Sequence, residues 1–192
     1  EPLTTSRPLP PATVLVANRG EIALRILRTL NRMGIGSVAV YTDADADSPH
    51  TLAADLALRV EGYLDADAIV AVALESGATM VHPGYGFLSE NADFARACAD
   101  AGLVFIGPPA PAIEAMGDKI RAKDTVAAAG VPVLGGFTEK PGRPLDDEEL
   151  LDSAARTGYP LLIKPSSGGG GKGMRAVHTA EELLTHAAAA RR

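Results

Sequence analysis

Apolar and polar positions follow two different periods along this chain. Residues 13–17 (TVLVA) form a β-branched apolar run that ends in a polar Asn18-Arg19-Gly20 turn, the profile of a short buried strand. From residue 21 the period lengthens. Ile22, Ile26, Leu30 and Met33 recur at spacings of three and four, which predicts one apolar helical face over 21–33 with Gly34 as its C′ residue. Residues 37–41 read as the next strand, 42–49 as an acidic loop, and 56–60 as a third apolar segment. A helix is expected over 65–75, stopped by Gly77, then a strand over 79–81 and a loop over 82–90. A helix over 92–101 ends at Gly102, and a strand over 103–106 ends in Gly107-Pro108-Pro109.

Strand–helix–strand units of this length predict an α/β fold: a parallel sheet with right-handed crossovers and helices on both faces. Functional loops in such sheets sit at the C-terminal strand ends, which here carry residues 18–21, 42–43 and 82–86. Helical segments are predicted over 112–116 and 118–129. The composition then turns rich in Gly and Pro (Gly130, Pro132, Gly135, Gly136, Pro141, Gly142, Pro144), and a boundary is expected near residue 130. Beyond it the pattern predicts a helix over 146–157, a strand over 160–164, a glycine loop, and a strand over 174–178. A final Ala-rich helix opens with the capping box Thr179-Ala180-Glu181-Glu182. The expected organisation is a disordered head over 1–12, a first domain over 13–130, and an incomplete second one over 131–192.

Composition narrows the class. Hydrophobic residues make up 46% of the 192, yet aromatics only 4% and Trp is absent, so the apolar bulk is the Ala, Val, Leu and Ile of helices on buried strands. The net charge of −6 argues against a nucleic-acid binder, which would carry a basic excess. No apolar run approaches the ~20 residues of a membrane span. Cys98 is the sole cysteine and has no internal partner, which suggests a reducing compartment and a cytoplasmic protein.

The strongest chemical signal is residues 161–174, LLIKPSSGGGGKGM. Gly168, Gly169, Gly170 and Gly171, with Gly173 after Lys172, allow successive backbone N–H groups to approach an anion closely, and Lys164 and Lys172 add positive charge. This is no Walker A loop: Ser166 stands at its first Gly position, Gly173 follows the lysine, and the loop feeds a strand. A flexible lid over phosphates fits better than a surface linker. Gly-x-Gly-x-x-Gly is absent after the first strand, which disfavours dinucleotides. Asp43, Asp45 and Asp47 imitate the opening of a calcium loop, but Ser48 and Ala54 replace its Gly and Glu, leaving a solvated acidic loop. His82 reads as a structural hydrogen-bonder and Cys98 as core. The Arg25, Arg28, Arg32 stripe reads as solvent-facing, with a subunit contact as the alternative. Lys119 opens a helix, where the dipole disfavours a cation, and so points to a ligand.

Taken together, residues 16–23 (VANRGEIA), 82–91 (HPGYGFLSEN), 105–108 (FIGP), 116–119 (MGDK) and 163–175 (IKPSSGGGGKGMR) resemble biotin carboxylase, the ATP-grasp component of biotin-dependent carboxylases. The resemblance implies a Rossmann-like pre-ATP-grasp domain followed by the start of the ATP-grasp lid subdomain. It also implies ATP, Mg2+, biotin and bicarbonate as cofactors and substrates. In the whole enzyme bicarbonate is phosphorylated to carboxyphosphate, and the biotin ureido nitrogen captures carbon dioxide. By motif, Lys119 and Lys164 correspond to phosphate-contacting lysines, residues 168–174 to the closing loop, and Tyr85 and Gly86 to positions near the biotin ring. Arg25 and Arg28 correspond to homodimer contacts. A biotin carboxyl carrier domain and a carboxyltransferase subunit are the implied partners, with an acyl-CoA as final acceptor. The family's metal-binding and catalytic residues are expected beyond residue 192, so none is assigned and the chain by itself is expected to be inactive. The connection between Arg59 and Tyr63 is shorter than the family's usual Gly/Pro-containing one. Another ATP-grasp ligase and a non-catalytic Rossmann-like binding or assembly module are the competing readings.

Overall fold

A computed structural model describes residues 10–117, 119–139, 142–164 and 173–191. The chain divides into two compact units, Glu1–Glu114 and Ala115–Arg192. That division falls earlier than the turn-rich stretch around residue 130.

In the first unit the chain runs β1 (Thr13–Val16), α1 (Gly20–Met33), β2 (Gly36–Tyr41), a 3-10 turn (Asp43–Asp45), α2 (Pro49–Ala53), β3 (Leu56–Arg59), α3 (Ala66–Glu75), β4 (Met80–His82), α4 (Ala92–Asp100) and β5 (Val104–Phe105). The five strands are parallel in the order β3-β2-β1-β4-β5, a doubly wound sheet whose order reverses beside β1. β1 is central and buried along its length. Its side chains alternate between two cores. Leu15 faces Val38, Val40 and Val81 with Ile69 of α3 and Phe94 and Cys98 of α4. Val14 and Val16 face Ala39 and Ala57 with Ala23, Ile26, Leu27 and Leu30 of α1. Helices therefore cover both faces, as the strand–helix alternation predicts.

The buried stripe of α1 differs from the expected one. Ala23, Ile26, Leu27 and Leu30 are inside, whereas Met33 is 64% exposed. The small Ala23 side chain lets the helix lie close to the sheet, which rotates the stripe away from Met33. Gly34 ends α1 at φ +68°, the left-handed conformation that a non-Gly residue resists.

In the second unit α5 (Ala110–Gly117, which begins in the first), α6 (Lys119–Ala128), α7 (Asp147–Thr157), β6 (Leu161–Ile163), β7 (Arg175–Val177) and α8 (Ala180–Ala190) follow. β6 and β7 pair antiparallel, and Leu150, Ala154, Val177, Leu183 and Ala187 form their core with α7 and α8. The predicted capping box at α8 is not closed. Thr179 makes no side-chain cap, and Glu182 accepts instead from His178 N–H at 3.0 Å. The box closes at α7, where Asp146 accepts from Glu149 N–H at 2.8 Å and Glu149 from Asp146 N–H at 3.2 Å.

Candidate functional site

The loops at the C-terminal strand ends of the first unit are bound into one network. Arg19, directly after β1, places its guanidinium in a fork on Asp45: Nε donates to Oδ2 at 2.6 Å and Nη2 to Oδ1 at 2.5 Å. Tyr63 OH donates to Asp45 Oδ2 at 2.5 Å. Arg19 also stacks over the Tyr63 ring at 5.8 Å from its centroid. Asp45 is 5% exposed, so the acidic loop is solvated at Asp43 and Asp47 but not at Asp45. The Arg19 guanidinium holds the Asp45 carboxyl well below the usual carboxylate range, against the opposing effect of burial. Both Asp45 oxygens are thus engaged by Arg19 and Tyr63.

The short connection after β3 feeds the same network. Val60 N–H donates to Tyr41 O at 2.8 Å, and Arg59 bonds Asp43 and Glu61. Tyr63 is thereby carried inward to 9% exposure, with its ring 5.5 Å from that of Phe87.

The loop after β4 holds two of the predicted site residues. Tyr85 is 63% exposed, with its hydroxyl donating to Glu21 Oε2 at 3.2 Å. Gly86 has φ +65°, and nothing lies within 4 Å of where a Cβ would stand. The backbone at Gly86 is therefore open to close approach. His82 is a structural hydrogen-bonder, as expected: its Nδ1 accepts from Gly84 N–H at 3.0 Å, which places the neutral ring's proton on Nε2. Burial lowers its pKa, in keeping with a neutral acceptor.

In the second unit Lys119 opens α6. Ile163 pairs with Arg175, so the next residues outward, Lys164 and Met174, stand at the same end of the β6–β7 ladder. Lys164 is exposed, Met174 is 44% exposed, and Gly173 has φ +82°. Exposed cation and glycine at one ladder end suit a phosphate group. Gly168, Gly169, Gly170, Gly171 and Lys172 lie outside the described residues. Asp45, Tyr63 and Asn18 are the network residues that sequence reasoning missed. Only Asn18 carried a signal, as an amide at the polar turn that ends the run of residues 13–17.

Both the fold and these loops define a doubly wound α/β domain followed by a glycine-hairpin unit, and known proteins give that class a family. Residues 10–113 match the family Biotin carboxylase, N-terminal domain, and residues 118–192 match Carbamoyl-phosphate synthase L chain, ATP binding domain. The chain belongs to the biotin carboxylase family. The mitochondrial methylcrotonoyl-CoA carboxylase subunit alpha of Glycine max is 54% identical over 185 residues, 93% of this chain and 25% of that protein. The Pseudomonas aeruginosa biotin carboxylase is 48% identical over 91% of this chain and 40% of its own length. The biotin carboxylase domain dimer of Hydrogenobacter thermophilus 2-oxoglutarate carboxylase, in complex with MgADP, ADP and bicarbonate, superposes with a TM-score of 0.83 at 44% identity, covering 93% of this chain and 40% of that one. The chain thus spans about a quarter of the methylcrotonoyl-CoA carboxylase subunits and two fifths of the bacterial proteins. Among the described residues, no helix is long and apolar enough to cross a membrane.

Proposed function

We propose that this chain is the N-terminal part of a biotin carboxylase that, as a whole protein, carboxylates biotin on a carrier domain with ATP and bicarbonate. The observation that carries the reading is similarity over 93% of the chain both to a methylcrotonoyl-CoA carboxylase subunit alpha and to the biotin carboxylase domain of a 2-oxoglutarate carboxylase. Phosphoryl transfer needs positioning and charge neutralisation more than covalent help. Lys119, Lys164 and the loop through Gly173 and Met174 would supply part of that positive, close-fitting surface to the ATP phosphates. Tyr85 and Gly86 would offer the open face to biotin. Mg2+ would shield the phosphate charge, with ligands from elsewhere in the protein. The exposed Arg25 and Arg28 on α1, which line a shallow concavity with Asn31, Arg32 and Ala53, would meet a second copy.

An acyl-CoA is the favoured final acceptor, supported by the methylcrotonoyl-CoA carboxylase subunits of soybean, rice and Arabidopsis at 51–54% identity. A carboxyltransferase subunit would then be the second partner. The fully buried Cys98 supports a reducing compartment, cytoplasmic or, as those relatives' names have it, mitochondrial; fractionation of cells expressing the complete protein separates the two.

The test is bicarbonate-dependent ATP hydrolysis by the complete protein with free biotin. Lys164→Ala and Lys119→Ala should each raise the KM for ATP on the order of 10–100-fold through loss of a charge-assisted phosphate contact. An unchanged ATP dependence in both variants rejects the assignment. The match of residues 118–192 to a carbamoyl-phosphate synthase domain favours a second reading, another ATP-grasp ligase. Hydrolysis indifferent to biotin would support that one.

A further inference from the structure

Asn18 is a polar side chain in a place where the chain otherwise puts Val, Leu and Ala. It follows Ala17, whose N–H donates to His82 O at 2.9 Å, and it is 1% exposed. A buried amide persists only with its donors and acceptor satisfied, and here all of the partners are backbone. Nδ2 donates to Pro83 O at 2.7 Å and to Tyr85 O at 2.8 Å, while Oδ1 accepts from Arg19 N–H at 2.9 Å. Two carbonyls on one side and an N–H on the other fix the orientation of the amide.

The two carbonyls belong to a single turn, with Gly84 between them at φ +65°. A Cβ on Gly84 would stand 2.7 Å from Asn18 Nδ2 and 3.2 Å from Ile22 Cγ1. The turn therefore presses on the amide as closely as backbone can. Two further polar groups of the turn are tied: Gly84 N–H donates to His82 Nδ1 at 3.0 Å, and Gly86 O accepts from Ser89 N–H at 2.9 Å. With the carbonyls of Pro83 and Tyr85 drawn inward, the Tyr85 ring is left facing out beside the open backbone of Gly86.

We infer that Asn18 is a positioning residue that holds the 83–86 turn in register, so that Tyr85 and Gly86 are presented to biotin as a rigid platform. The inference rests on the proposed role of Tyr85 and Gly86. Asn18 itself lies under the turn and acts only through the two carbonyls. Reactions between oriented groups lose on the order of 100-fold for a displacement of about 1 Å, so a loosened turn impairs the biotin-dependent step. ATP recognition, which the lysines of the second unit are proposed to provide, is unaffected.

The experiment compares Asn18→Asp, Gly84→Ala and Tyr85→Ala in the complete protein, with thermal unfolding recorded for each. Asn18→Asp keeps the shape but replaces two donors by a carboxylate facing two carbonyls. Gly84→Ala drives a methyl against the same amide from the other side and keeps the question answerable if the first variant is poorly folded. The expected result for both is a KM for biotin raised about tenfold or more, a KM for ATP within about twofold of the parent, and unchanged ATP hydrolysis without biotin. If Tyr85→Ala shifts the biotin KM while Asn18→Asp and Gly84→Ala do not, the positioning role is overturned and the platform stands. Equal increases in the biotin and ATP constants would mean that Asn18 serves the fold alone, which also overturns it. If Tyr85→Ala leaves biotin kinetics untouched, the platform reading itself fails.

Discussion

His50 shows how much a single buried side chain can decide. It is fully buried, its Nε2 donates to Val40 O at 3.2 Å, and its Nδ1 has no hydrogen-bond partner among the described residues. Protonation would bury an N–H with nothing to receive it, and burial accordingly lowers the pKa of His50 below 6.5. Burial does the same to His82, whose Nδ1 must stay unprotonated to accept from Gly84. The unfolded chain binds these protons more readily than the folded one, so stability rises with pH through this window. The contribution is complete above about pH 6.5 and is lost as pH falls through the depressed folded-state values. Denaturant melts of the complete protein should therefore show a midpoint that falls as pH drops below about 6.5. His50→Gln, which retains a donor for Val40 O and cannot titrate, should flatten part of that slope. An identical pH profile in the variant would show that His50 does not contribute. Cys98 is the opposite kind of residue: burial against both Phe94 and the sheet pushes its thiol up to about 11, which leaves it a core side chain and no nucleophile.

Helix ends are where local sequence rules met their limit. Thr179-x-x-Glu182 and Asp146-x-x-Glu149 are equally good capping-box strings, yet only the second closes. At α8 the Glu182 carboxylate reaches one residue further back, to His178 N–H. Thr179 at φ −137° and ψ 162° is extended, as an N-cap should be, but its side chain caps no backbone N–H of the helix and meets the Glu181 carboxylate instead. Asp146→Ala should therefore cost about 1 kcal/mol of stability, and Thr179→Ala a few tenths. Equal losses for the two, measured by chemical denaturation, would show that the α8 cap forms in solution. Gly34 and Gly77, by contrast, were readable as helix stops because a left-handed residue after a helix is a local requirement, met at φ +68° and +72°.

At the scale of the molecule, the first unit holds its five strands and both cores within residues 10–114. Buried apolar area on both sheet faces is the main source of stability in such a domain, and the described residues of both clusters all belong to the first unit. A chain ending after Gly117 should therefore unfold in one cooperative thermal transition. Between α6 and α7 the backbone of residues 131–139 forms no regular element, and Val131, Val133 and Leu134 are exposed, Leu134 to 87%. Limited proteolysis should cut there, within the second unit, before it cuts the sheet of the first. Non-cooperative melting of the shortened chain, or first cleavage inside the sheet, would contradict this division.

The order and kind of the elements were legible in the sequence because they rest on short-range physics. β-branched runs such as residues 13–16 form strands, a three-and-four spacing forms α1, and glycine takes the left-handed position after it. The candidate lysines and the glycine loop are proposals of the same local kind, drawn from contiguous strings. What the tertiary structure decided is which distant loops meet. The order β3-β2-β1-β4-β5 sets the end of β1 between the ends of β2 and β4. Asn18 thereby reaches Pro83 across 65 residues, and Arg19 reaches Asp45 across 26. Nothing local distinguishes Asp45 from Asp43 and Asp47, and only the arrival of Arg19 and Tyr63 makes it a buried, paired carboxylate. Met33 was misplaced on the same account: the helical period gives an apolar face, but the approach of α1 to the sheet through Ala23 chooses which side of that face is buried.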